Sequence, residues 1–180
     1  MASRREPLLS PAFLELCLFN FAASAAVFAL LPVAPYRIHA LGGPTSAAGL
    51  FLGSLTFASA LSAPFTGALG DRLGQGRVLA TAATAIAALF ALYTFVTAWP
   101  VFVALGLAQG VFWSALLTSS GAYAVRLIPE SRRGEGFAVH GMATILAISV
   151  APSLGFALAA RCLTGWSGPP PSRCSSFASR

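Results

Sequence analysis

Long apolar runs, broken by short polar or glycine-rich interruptions, set the pattern of this chain. A helix needs roughly 20 apolar residues to cross a bilayer. By that measure the sequence predicts five spanning helices, at about 12–35, 46–66, 78–98, 101–124 and 137–160. The interruptions are Arg37 to Thr45, Pro64 to Arg77, Trp99-Pro100 and Val125 to Gly136. All are short, as helix–helix connections usually are. Nothing alternates with period two, which speaks against a β-barrel. The fold class expected is an all-α membrane protein.

Small residues add a second pattern within these runs. Ala143, Ala147, Ala151, Gly155 and Ala159 recur every four residues in the fifth helix, and Gly106, Gly110, Ser114 and Thr118 do so in the fourth. The second helix carries the pair Gly49 and Gly53, and beside it Ser54, Ala58 and Ser62. Small residues at this spacing let helix backbones approach closely in lipid. A packed bundle is therefore expected rather than five separate anchors.

Composition agrees that lipid is the solvent. Of 180 residues, 57% are hydrophobic and 9% charged, against roughly 25% charged in soluble domains. The net charge of +6 rests on arginine alone, since the chain has no lysine. The arginines lie between apolar runs rather than on one soluble face, so they indicate topology and not nucleic-acid binding. Arg4, Arg5, Arg72, Arg77, Arg126, Arg132 and Arg133 fall on the N-terminal side; Arg37, Arg161, Arg173 and Arg180 fall on the other. Residues 1–11 are thus expected in the cytoplasm, with the chain in the cell's inner (plasma) membrane. The first apolar run exceeds the roughly 7–15 residues of a signal peptide's core, so it reads as a spanning helix. Tyr36, Tyr93 and Trp99 lie near the outer boundary, where amphipathic rings are favoured.

Candidate chemistry is sparse. Cys17, Cys162 and Cys174 form no metal-ligand spacing, and a Cys162–Cys174 disulfide is weaker as a reading than free thiols. No phosphate loop, nucleophile motif or metal motif occurs, so no enzyme activity, cofactor or metal is expected. His39, in the outer loop, and His140 have no apparent partners. Polar or aromatic groups at mid-membrane depth are costly without a purpose. Asn20 and Ser24 share one face of the first helix, and Gln109 and Trp113 one face of the fourth. They read either as the lining of a cavity for an organic solute or as cross-helix bonds and packing. Thr118, Ser119 and Ser120 can bond their own helix backbone and are left out of the site. Glu15, the one acid within an apolar run, is a coupling candidate, although it can also snorkel to water.

Pro64 to Arg77 is the most compact polar interruption. Gly67, Gly70, Gly74 and Gly76 allow a tight reversal, and Asp71 with Arg72 and Arg77 supplies opposite charges at helix ends. Taken alone, this reads either as a gate or as a positive-inside loop with a stabilising ion pair. Gly67-x-Leu69-Gly70-Asp71-Arg72-x-Gly74, preceded by Pro64 and followed by Arg77, resembles the helix 2–3 loop signature of the major facilitator superfamily, G-x-L-(A/G)-D-R-x-G-R-(R/K). It departs where Gln75-Gly76 stand in place of the basic pair. Other segments are similar to the same family. They are Asn20-Phe21 with Leu31-Pro32-x-x-Pro35, Gln109-Gly110 (with Gly106 where an Arg is common), Arg132-Arg133-Gly134-Glu135-Gly136, and Ala151-Pro152-x-x-Gly155.

The resemblance covers about residues 12–160 and implies the N-terminal half of a secondary transporter, efflux-like, that works by alternating access. It implies that Gly67, Gly70, Asp71, Arg72, Gly74 and Arg77 act in gating. The partners it implies are the lipid bilayer, a small-molecule substrate and a missing C-terminal half. Family members typically carry two six-helix halves. Residues 161–180, rich in Pro and Ser, are expected to form a disordered polar tail. The expectation is a transporter cut short; the competing one is a transport-inactive membrane fragment or an interaction partner of another half.

Overall fold

The computed structural model describes residues 10–165, with side chains described for 10–157. Five helices follow one another: α1 (Pro11–Ala40), α2 (Thr45–Leu73), α3 (Gln75–Phe95), α4 (Trp99–Leu127) and α5 (Arg133–Gly165). A short 3-10 turn, Glu130–Arg132, precedes α5. All five are long and apolar enough to cross a membrane, and no strand occurs among the described residues. The fold is an all-α membrane bundle. Residues 161–165, expected in the tail, continue α5. Arg4, Arg5, Cys174 and the rest of the expected tail lie outside the described residues, as does the side chain of Cys162.

The helices outrun the apolar runs that announced them, most of all at prolines. α1 passes through Pro32 and Pro35, α2 through Pro64, and α5 through Pro152. A proline inside a helix removes one backbone bond. In lipid the chain has no water to turn to, so the helix persists around it. His39 therefore sits in the last turn of α1, exposed, and not in a loop. Trp99 and Pro100 likewise open α4, where proline lacks only an N–H that the first turn leaves unused. The connection is Val96 to Ala98. At the start of α1, the Ser10 hydroxyl accepts from the Phe13 N–H at 3.2 Å and caps the helix.

Two parallel helix pairs carry the bundle: α2 packs most extensively on α4, and α1 on α5, while α3 lies against α4. α4 is the central element. Half of its most apolar stretch is buried, against 17–28% for the other four. The small-residue pattern explains the closest approaches. A side-chain carbon on Gly110 would collide with the Leu55 carbonyl oxygen and lie 3.0 Å from Ala58 Cβ; on Gly106 it would meet Phe51 at 2.9 Å. On Gly155 it would collide with the Ala29 carbonyl oxygen. Ala147 and Ala151, on the same stripe of α5, are buried.

The other half of the pattern on α2 behaves differently. Gly49 and Gly53 are exposed with no neighbour within 4 Å, so this pair is not a seam of the bundle. The Ser54–Ala58 row faces α4 instead, because Phe51 and Leu55 on that side of α2 are buried and set its rotation. Leu18, Phe57, Phe65 and Phe95 are large apolar groups left exposed, which suits contact with acyl chains.

Two apolar cores lie along the bundle. One, around Phe13, Leu16, Val78, Trp113 and Ile128, is near the end where α1 starts. The other, around Ile38, Phe51, Tyr93 and Phe102, is near the opposite end. Tyr93 and Phe102 pack there with ring centroids 4.6 Å apart and ring planes tilted by 45°. A contrast tests the seam assignment. Gly110→Leu is expected to destabilise the bundle by about 1–3 kcal/mol through overpacking, while Gly49→Leu changes little. Unfolding in detergent by a denaturant titration measures both.

Candidate functional site

The α2–α3 reversal is far tighter than a loop of a dozen residues. α2 continues through Gly67 and Gly70 to Leu73, and Gly74 alone separates it from α3. Its φ of +93° lies where a side chain is strained, which is why glycine stands there. The Gly74 N–H donates to the Gly70 carbonyl at 3.0 Å, and the Gly74 carbonyl accepts from Arg77 and Val78 at 3.1 and 3.2 Å. One residue thus closes one helix and opens the next.

The charges at this reversal do not form the ion pair expected of them. Among the described residues Asp71 pairs with neither Arg72 nor Arg77; all three are exposed. Asp71 instead accepts from Gln75 Nε2 at 3.0 Å. Gln75 is buried, 3% exposed, and its amide fills the space that a side chain at Gly70 would need. The residue that departs from the family signature is therefore the one that holds the aspartate. Gly70 is small so that Gln75 can fold back. The ion pairs lie two connections later, Arg132 with Glu135 and Arg133 with Glu130, each three residues apart. Exposed pairs of this kind contribute little, about 0–1 kcal/mol.

The interior polar residues lie in a line across α1 and α4. Asn20 and Ser24 are buried on one face of α1, and Gln109 and Trp113 on one face of α4. The two faces meet where Phe28, one turn beyond Ser24, packs edge-on against Trp113 with centroids 5.9 Å apart. Asn20 and Gln109 reach outward from that line rather than to each other. Asn20 Nδ2 donates to Thr144 Oγ1 of α5 at 2.7 Å, and Tyr93 Oη of α3 donates to Gln109 Oε1 at 2.8 Å. Each amide thereby ties α1 or α4 to a neighbour and keeps one polar atom over. Asn20 Oδ1, Gln109 Nε2 and Ser24 Oγ are buried with no partner among the described residues. Glu15 lies exposed on α1, apart from this line.

Four residues of this polar interior escape the sequence reading as site members: Gln75, Tyr93, Thr144 and Thr66. Thr66 Oγ1 lies 3.4 Å from the hydroxyls of both Ser114 and Thr118 across α2–α4. Tyr93 is near the boundary along the helix but turns inward, 4% exposed. Its place after Ala82, Ile86 and Leu89 on one buried stripe of α3 is the signal that could have found it. Thr118 and Ser120 bond their own backbone, whereas Ser119 Oγ has no partner among the described residues.

Five apolar crossings with polar atoms held between closely packed helices define a multi-pass membrane protein. Residues 16–168 match the profile of the Major Facilitator Superfamily, and the chain belongs to that superfamily of transporters. No curated protein and no solved structure matches the chain.

The Tyr93–Gln109 bond can be weighed directly. Tyr93→Phe leaves the Gln109 amide wholly unpaired and is expected to cost about 0.6–1.7 kcal/mol, the range for cross-helix bonds in membranes. Unfolding of the variant in mixed micelles measures it; no loss of stability would contradict the bond.

Proposed function

We propose that the protein is a secondary-active transporter of a small organic solute, of the efflux kind, working by alternating access. The observation that carries this reading is the family match over residues 16–168. The buried line of Asn20, Ser24, Gln109 and Trp113 supports it, because partnerless polar atoms at membrane depth are costly unless a ligand or a second conformation uses them. In this reading Asn20 and Gln109 hold the solute's polar groups and Trp113 its apolar face. Gly67, Gly70, Asp71, Arg72, Gly74 and Arg77 form the gate, with Gln75 setting the aspartate. Glu15 is retained as a coupling candidate.

Alternating access in this superfamily works between two helical units, so the proposal includes a second unit as partner. It also places the N-terminus in the cytoplasm and the chain in the inner membrane. Two apolar grooves open on the bundle surface: one of about 430 Å³ lined by Phe57, Leu61, Phe65 and Val111, another of about 210 Å³ lined by Phe19, Ala26, Ile86 and Phe90. Neither includes Asn20, Gln109 or Trp113. That favours a second reading for the chain on its own, a transport-inactive bundle until a partner unit docks.

Proteoliposomes containing the purified chain, assayed with drugs, sugars and amino acids, separate the two. Transport predicts flux of at least one solute, lowered on the order of tenfold by Asn20→Ala, the loss of about one hydrogen bond to a ligand. No flux of any solute supports the inactive reading.

A further inference from the structure

His140 is a buried ionisable group with no part in the gate or the cavity. It lies on α5, is 7% exposed, and its Nδ1 has no partner among the described residues. A buried polar atom without a partner is expensive in lipid, and an ionisable one marks a functional position by default. Its surroundings are specific. Thr144, one turn further along α5, accepts from Asn20 of α1. α1 and α5 run in parallel, with Ala29 against Gly155 further on, so one turn back His140 lies level with Leu16, itself buried. Asn20 Oδ1 and Ser24 Oγ, both unpartnered, follow on the α1 side. His140 Nδ1 on α5, and Asn20 Oδ1 and Ser24 Oγ on α1, are thus buried polar atoms that none of the described groups satisfies.

Among the described residues no other ionisable side chain is buried with an unpartnered atom. On α1, Glu15 is exposed and Cys17 is a half-buried thiol, while Tyr36, Arg37 and His39 lie at the opposite end. On α4, Tyr123 is half-buried and Arg126 exposed. In the 3-10 turn and the first turn of α5, Glu130 is paired with Arg133, and Arg132 with Glu135. The neighbour on its own helix is Phe137, whose ring meets the imidazole edge-on at 6.3 Å.

We propose that His140 is a proton-binding site, and that its protonation couples transport to a proton gradient through the Asn20–Thr144 bond. This rests on the transporter reading for the coupling, though not for the proton site itself. The proton enters from water at the end where α1 starts and α5 begins, about two helical turns away. Protonation gives the imidazole a second N–H and a charge, which a dry seam tolerates only with an acceptor. Asn20 Oδ1, one turn along the seam, supplies that acceptor. Turning Asn20 toward the imidazolium weakens its bond to Thr144 and loosens α1 from α5, and losing the proton restores it.

The test uses the full chain with ring-labelled histidine in lipid nanodiscs. The sequence has two histidines, so His39→Gln leaves a single ring signal to follow. That signal is expected to move reversibly from its neutral to its charged position as the pH is lowered. The Asn20 side-chain amide moves at the same midpoint. A ring that stays neutral until the bundle unfolds overturns the proton site, and a ring that titrates without the Asn20 response overturns the coupling. In proteoliposomes, His140→Gln is expected to lower the ratio of gradient-driven flux to solute exchange by about tenfold, within the roughly 5–150-fold range of site–site coupling. An unchanged ratio overturns the coupling. If the unaltered chain moves no solute at all, the chain is inactive on its own, and the ring titration alone still decides the proton site.

Discussion

Close backbone approach between parallel helices is the constraint on which the bundle rests. In lipid, no hydrophobic force pulls one apolar helix to another, so association has to come from packing and hydrogen bonds. Gly110 brings α4 onto the backbone of α2, and Gly155 brings α5 onto the backbone of α1. Both contacts leave no space for even one added carbon. With these two pairs formed, α3 needs only to lie on α4, and it does so through Tyr93, Phe102 and the Tyr93–Gln109 bond.

The polar interior follows from that packing. Helices this close leave little space, so each buried amide finds one partner and no second one. Asn20, Gln109 and Gln75 all show this: one bond made, one polar atom over. A purely structural protein would satisfy such groups or replace them with apolar side chains, because a half-satisfied polar group is worse than none. Retaining them is reasonable where a second conformation or a bound solute makes the missing bonds.

Much of the fold was legible because its signals are long. Five apolar runs, each near the length of a bilayer, survive any local ambiguity, and the small-residue rows of α4 and α5 identified the seams that close. What failed was local. A proline or a cluster of glycines reads as a break, yet α2 runs through Pro64, Gly67 and Gly70 and stops only before Gly74, whose positive φ ends it. The row Gly49–Gly53 looked equal to Ser54–Ala58, and only the bulk of Phe51 and Leu55 decides which side of α2 faces α4. The polar candidates on α1 and α4 were visible as costly residues at depth. Their partners Thr144 and Tyr93 were not, because the pairing depends on the rotation of two helices at once. Gln75 was visible only as a missing arginine, and His140 only as a lone histidine.

In the transport reading, the line of Asn20, Ser24, Gln109 and Trp113 becomes a solute path rather than staying a sealed core. Single cysteines at positions 24 and 109, in a chain with Cys17, Cys162 and Cys174 replaced, test this in sealed vesicles with a membrane-impermeant thiol reagent. A solute path predicts labelling at both positions, with the reactive side of the membrane changing as an imposed gradient is reversed. Protection of both positions from both sides under every gradient would contradict it, and would leave these residues as the packed interior of an inert bundle.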